Sequence, residues 1–154
     1  MKIKFLLLAL VLVWGTSCNR FSVSHKGLAP EDVVKSFVEL SASSKNLSDR
    51  RRLADFCAGE LRRAFERMTD EAFKLSYTTT QLNIKEFAVV SSAIVERQAT
   101  VRYRVVVENG TGTDPTLETN EREVELVENR GAWFLENIRP YGSDQIAFTH
   151  GMIF

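Results

Sequence analysis

Few side chains in this sequence could do chemistry. Two histidines (His25, His150), two cysteines (Cys18, Cys57) and three tyrosines (Tyr77, Tyr103, Tyr141) are spread over 154 residues. A zinc site needs three or four Cys, His or carboxylate ligands. Neither histidine has a partner at ligand spacing, so no metal site is expected. The chain also lacks a Gly-x-Ser-x-Gly elbow, a Walker Gly-Lys-Ser/Thr and a dinucleotide Gly-x-Gly-x-x-Gly run, the motifs that expose a nucleophile or cradle a phosphate. No cofactor and no catalytic residue is therefore assigned. Gly110-x-Gly112 lies between two strand patterns with no helix behind it and reads as a turn. Cys57 lies between Phe56 and Leu61 on an apolar helical stripe, the setting of a buried, inert thiol.

The densest charge is Arg50, Arg51, Arg52, Arg62, Arg63 and Arg67, six arginines within eighteen residues. Such a group could meet anionic headgroups or wall polymer. Asp49, Asp55, Glu60 and Glu66 are interleaved with it, which favours a solvated helix surface. Over the whole chain, 20 Lys and Arg balance 20 Asp and Glu. Phosphate neutralisation supplies most nucleic-acid affinity, so no nucleic-acid partner is expected.

The remaining reactive position is Cys18. A basic start, Met1-Lys2-Ile3-Lys4, leads into ten apolar residues from Phe5 to Trp14 and then Gly15-Thr16-Ser17-Cys18. This is the order of a secretory signal, and the apolar run is half the ~20 residues a spanning helix needs. Small residues directly before a cysteine resemble the lipobox of bacterial lipoproteins. Thr16 and Ser17 fit that pattern, while Gly15 stands where the family usually has Leu or Val. The resemblance implies that residues 1–17 are a signal peptide and that Cys18 carries the lipid, palmitate included, that holds the protein to the membrane. Asn19 after the cysteine points to the periplasmic side of the outer membrane. Ordinary signal cleavage is the alternative, and only then could Cys18 pair with Cys57. Asn19 to Leu28 is polar and without period, so 18–28 reads as the lipidated cysteine and a flexible tether.

Beyond the tether, the elements follow from periodicity. Pro30 opens a helix with Glu31 and Asp32 in its first turn, where proline and acidic residues are favoured. Val33, Val34, Phe37, Val38 and Leu40 form one apolar face, and Ser41-Ala42-Ser43-Ser44 ends it. Ser48 and Asp49 are expected to cap a second helix, interrupted at Gly59. Leu61, Ala64, Phe65 and Met68 repeat the pattern, and Thr69-Asp70-Glu71 restarts it. From Leu82 the period becomes two. The apolar face of that first strand switches near Glu86-Phe87, the mark of a bulge. Ala99 to Val107 alternates with Thr100, Arg102 and Arg104. After the Gly110–Pro115 turn comes a strand with Val124 and Leu126 opposed to Glu121, Glu123 and Glu125. Asn129-Arg130-Gly131 turns the chain into Ala132–Ile138, and Arg139-Pro140 stops it.

Directly opposed residues of an antiparallel pair share a face. Setting Val101 against Leu126 and Tyr103 against Val124 joins apolar residues on one face. It also puts Arg102 against Glu125 and Arg104 against Glu123 on the other. That register, or a neighbour of the same parity, is expected.

Helices followed by a four-stranded meander make an α+β domain, with the helices on one face of a curved antiparallel sheet. The Pro30–Phe37 helix start, the long strand from Leu82 and the ending Gly131-Ala132-Trp133-Phe134-Leu135 resemble the nuclear transport factor 2-like superfamily, in particular its small bacterial lipoproteins of unknown function. The resemblance covers residues 29–139 and leaves 140–154 as a C-terminal extension. It implies a lipid-anchored, non-catalytic binding or accessory module of the cell envelope. The superfamily also includes enzymes and small-molecule binders that use the cone between helices and sheet, and there Asp55, Tyr77 and Tyr103 are the candidates. A carboxylate base beside an oxyanion-stabilising hydroxyl is the chemistry such a cone supports. For Tyr103 the simpler expectation is a core ring with one buried partner. Phe134, Val127 and Val106 fall on the other sheet face, and Ile146, Phe148, Met152, Ile153 and Phe154 add apolar surface in the tail. Either the tail folds back, or the open sheet face meets a homodimer or protein partner, as the superfamily often does.

Overall fold

A computed structural model describes residues 25–79, 82–109 and 116–142. The expected signal peptide, Cys18, the segment 110–115 expected to turn, His150 and the apolar residues after 142 lie outside the described residues. Four helices, α1 (Pro30–Ser43), α2 (Ser48–Asp55), α3 (Gly59–Arg67) and α4 (Asp70–Phe73), precede four strands, β1 (Leu82–Val95), β2 (Gln98–Asn109), β3 (Thr116–Asn129) and β4 (Ala132–Pro140). A π-helical turn, Lys74–Thr78, continues α4. The strands pair in chain order, all antiparallel. The class is α+β, as the periodicity requires.

Pro30 occupies the first turn of α1, and the buried residues of that helix are Val33, Val34, Phe37, Val38 and Ser41. Thr69 caps α4 by accepting from the Ala72 amide. At α2 the expected cap is replaced by a different arrangement. Asp49 reaches back to accept from the amides of Lys45 and Asn46, while Asn46 accepts from the Ser48 amide. The loop before the helix is thereby tied down. Arg130 and Gly131, both at positive φ (54° and 80°), form the two-residue β3–β4 loop, a conformation that favours glycine.

The helices cover the face of the sheet bearing Val101, Tyr103, Val105, Val107, Val124, Leu126, Leu135 and Ile138, all buried. Phe37, Phe56, Phe65, Phe73 and Tyr77 fill the space between as a chain of ring contacts. β1 has register shifts between Ile84 and Glu86 and between Val89 and Ser91. The first is the bulge that the switched apolar face demands; the second has no sequence counterpart.

The structure selects one register of the expected parity and corrects the length of the tether. Val101 lies opposite Val124, Arg102 opposite Glu123 and Arg104 opposite Glu121, a slide of two residues from the expected register. A slide of two keeps every face, so hydrophobic pattern does not distinguish the two registers. The observed one sets bulky Leu126 against small Ala99 and carries the ladder on to Asn109 and Thr116. The tether is also shorter than expected. His25 is 3% exposed, Lys26 bridges to Ala132, and the Gly27 amide donates to the Gly131 carbonyl at 3.0 Å. This segment satisfies part of the exposed edge of β4, as edge strands require. A second guard comes from the α2–α3 link, where Leu135 donates to Phe56 and accepts from Ala58.

Candidate functional site

Under the sheet, Tyr103 is fully buried and stacked on Phe87, with ring centroids 5.2 Å apart. Its cross-strand partner is Arg122. The alternation of β3 carries Arg122 onto the core face beside Val124, where it is 7% exposed. Burial raises the Tyr103 phenol pKa, with the nearby positive charge of Arg122 opposing the rise. Burial likewise holds the Arg122 guanidinium below its ordinary value. Arg122 Nη1 donates to the Glu121 carbonyl at 3.1 Å. In the sequence its one signal is parity: Arg122 is the charged member of the apolar face that Val124 and Leu126 define.

Asp55 belongs to a different neighbourhood. At the end of α2 it faces Arg62 at 3.8 Å and acts electrostatically on His25 and Cys57. Tyr77 stacks on Phe73 with centroids 4.9 Å apart, and burial pushes its phenol pKa up. Arg122 sets a positive charge beside Tyr103, while Asp55 lies against Arg62. General-base chemistry needs the base within hydrogen-bond reach of its proton, so the structure does not gather Asp55, Tyr77 and Tyr103 into such a site. Cys57 is buried, donates to the Leu53 carbonyl, and has its thiol pKa pushed well up by burial, the inert setting expected of it.

His25 lies against Phe56, with centroids 3.9 Å apart, and edge-on to Phe134. Neither ring nitrogen makes a hydrogen bond. Burial lowers its pKa, and the Asp55 carboxylate and backbone oppose the shift. The helix arginines are matched as the interleaved acids suggested: Arg50 with Asp70 at 2.8 Å, Arg52 with Asp49 at 2.9 Å, Arg62 with Glu66 at 2.8 Å, and Arg63 with Glu60. Among the described residues, no three His, Cys, Asp or Glu side chains converge on a metal position.

The outer face of the sheet is an ion-pair ladder. Glu121 takes Arg102 at 2.7 Å and Arg104 at 2.9 Å. Arg139 spans Glu123 at 2.5 Å and Glu125 at 3.0 Å, and Asn137 donates to Glu125 at 2.7 Å. The Tyr141 ring lies 3.5 Å from the Arg102 guanidinium carbon, within cation–π range. Phe134, Val127 and Val106 are half-buried here. The exposed apolar surface lies instead along β1, at Val89, Val90, Ile94 and Val95. At the hairpin ends a groove of about 520 Å³ is lined by Val95, Glu96, Arg97 and Glu128, where Arg97 already pairs with Glu128 at 3.2 Å.

No protein-family model and no curated protein matches the chain. Solved structures do. A SEC-C motif-containing protein of Rhodopseudomonas palustris aligns with TM-score 0.57 at 17% identity, covering 77% of this chain and 84% of that one. The intermembrane-space region of the chloroplast protein ARC6 aligns with TM-score 0.54 at 11% identity, covering 73% and 94%. An Ntf2-like potential transfer protein, TraM, of a Gram-positive conjugative plasmid aligns with TM-score 0.49 at 8% identity, covering 74% and 95%. At these identities the likeness is one of fold, and the first two carry it: helices leading into a curved antiparallel sheet.

Proposed function

We propose that this chain is a nuclear transport factor 2-like domain serving as a lipid-anchored, non-catalytic binding or accessory module of the bacterial envelope. Cys18 holds it to the periplasmic side of the outer membrane, and protein contacts are made through its exposed sheet surface. The observation that carries the non-catalytic part is the environment of Tyr103. Its ring is fully buried and stacked on Phe87 beside the Arg122 guanidinium, the setting of a core side chain, and Asp55, the carboxylate expected to serve it as base, instead faces Arg62. The anchoring part rests on Gly15-Thr16-Ser17-Cys18 after the apolar run. Among the described residues no helix is long and apolar enough to cross a membrane.

Replacing Cys18 with Ala tests the anchor. The expected result is release from the membrane fraction together with loss of labelled palmitate. A variant that stays membrane-bound and keeps residues 1–17 would make the segment an uncleaved anchor and overturn the reading. The buried Arg122 favours one second reading, a binder of small organic anions under the sheet. Thermal stabilisation by such anions that disappears in Arg122→Met would establish it.

A further inference from the structure

The two edges of the sheet are treated differently. β4 is guarded by Lys26 and by the 56–58 segment. Among the described residues no strand lies beyond β1. β1 is fourteen residues long, and its nine residues from Phe87 to Val95 carry no charge and no proline. Val89, Val90, Ile94 and Val95 are 41%, 40%, 55% and 71% exposed. A long apolar edge without charged gatekeepers is a template for another strand.

We propose that β1 pairs with β1 of a second copy of this chain, antiparallel about a two-fold axis at Val90 and Ser91, joining both sheets into one. A two-fold axis normal to the sheet keeps core face with core face, so each residue must meet another of its own face. The register shift between Val89 and Ser91 makes this possible. Before it, Phe87 and Val89 lie opposite Val105 and Tyr103; after it, Ser92 and Ile94 lie opposite Val101 and Ala99. All four therefore share the core face. Phe87 then meets Ile94, Val89 meets Ser92, and on the outer face Ala88 meets Ala93.

The charges flanking the apolar run agree with that register. It brings Lys85 of each copy, at the register shift before Glu86, near Glu96 of the other, in the turn after Val95, so a single charge match is made twice. A slip of one residue in either direction opposes core and outer residues. In one direction it also sets Lys85 against Arg97 and Glu86 against Glu96, and like charges directly opposite are destabilising. Lys85 also reaches Glu108 of its own chain at 2.8 Å, so the intermolecular contact shares a cation already held in place.

Sedimentation of the full chain in non-ionic detergent, followed through a dilution series, tests the pairing. A dimer is expected. Val90→Lys, which puts a charge at the axis on an exposed side chain, should weaken association about tenfold or more. Lys85→Glu should weaken it too, and adding Glu96→Lys should restore it, because the swapped pair is again complementary. A chain monomeric at every concentration overturns the proposal, as does a dimer indifferent to Val90→Lys. A monomer whose β1 amides are protected from hydrogen exchange would assign the edge to this chain's own tail, which overturns it equally.

Discussion

A neutral imidazole held between two phenyl rings makes this domain sensitive to acid. The free-chain pKa of histidine is about 6.5, and burial lowers that of His25 in the folded state, with Asp55 partly opposing. Arg62 is paired with the same Asp55, which tempers the carboxylate's pull. Below pH ~6.5 the unfolded chain takes up a proton that the folded chain does not, so stability falls as pH drops through that window. Above it, the contribution of His25 is complete and flat. His25→Phe keeps the ring contacts to Phe56 and removes the proton. Urea unfolding from neutral to mildly acidic pH should then show a shallower decline for the variant. The difference in slope is bounded at about 1.4 kcal/mol per pH unit, the limit for one proton. Identical slopes would mean that His25 is protonated in the folded state. Nothing in the polar run Asn19–Leu28 signals that its last four residues pack, because what holds His25 is Phe56 and Phe134, 31 and 109 residues away in the sequence.

Among the secondary elements, local signals were the dependable ones. Pro30 and the serine run bound α1 as expected, Gly59 separates α2 from α3, and Gly131 turns the last hairpin. These features act within a few residues of themselves. Pairing between distant strands is different, because two registers related by a slide of two present the same faces. Charge did not decide between them either, since long side chains reach diagonally: Arg102 sits opposite Glu123 yet bonds Glu121. A double-mutant cycle reads which ion pairs form. Arg104→Ala with Glu121→Ala should show a coupling of roughly 0.2–1 kcal/mol, the range for cross-strand and partly exposed ion pairs. The cycle of Arg104 with Glu123 should be near zero, because Glu123 is taken by Arg139. Equal couplings in both cycles would mean that the ladder is a diffuse field and not a set of pairs. Of the candidate site, burial of Tyr103 and Cys57 was legible from helical and strand periods. The Arg122 neighbour was not, because it depends on the same unresolved register.

For the whole molecule, the packed segment at His25 constrains how the domain would sit on a membrane. If Cys18 carries lipid, six residues lie between it and His25, seven steps along the chain and a reach of at most about 25 Å at the extended limit of roughly 3.6 Å per residue. His25 and Lys26 dock beside Ala132 and Phe134, at the end of the sheet where the β3–β4 turn lies. The opposite end of β3 is near Leu117, twelve residues from Asn129. At about 3.3 Å per residue that end is some 40 Å away. The anchored domain should therefore stand with its Arg130 turn toward the lipid and its Leu117 end away. Fluorophores on Arg130→Cys and Leu117→Cys, both exposed positions, compare the two ends in vesicles containing nitroxide headgroups. Quenching should be strong at residue 130 and weak at 117, and Cys18→Ala should abolish it at both. Equal quenching at the two positions would mean that the sheet lies flat on the membrane, the orientation in which two copies anchored in one membrane can pair antiparallel through β1.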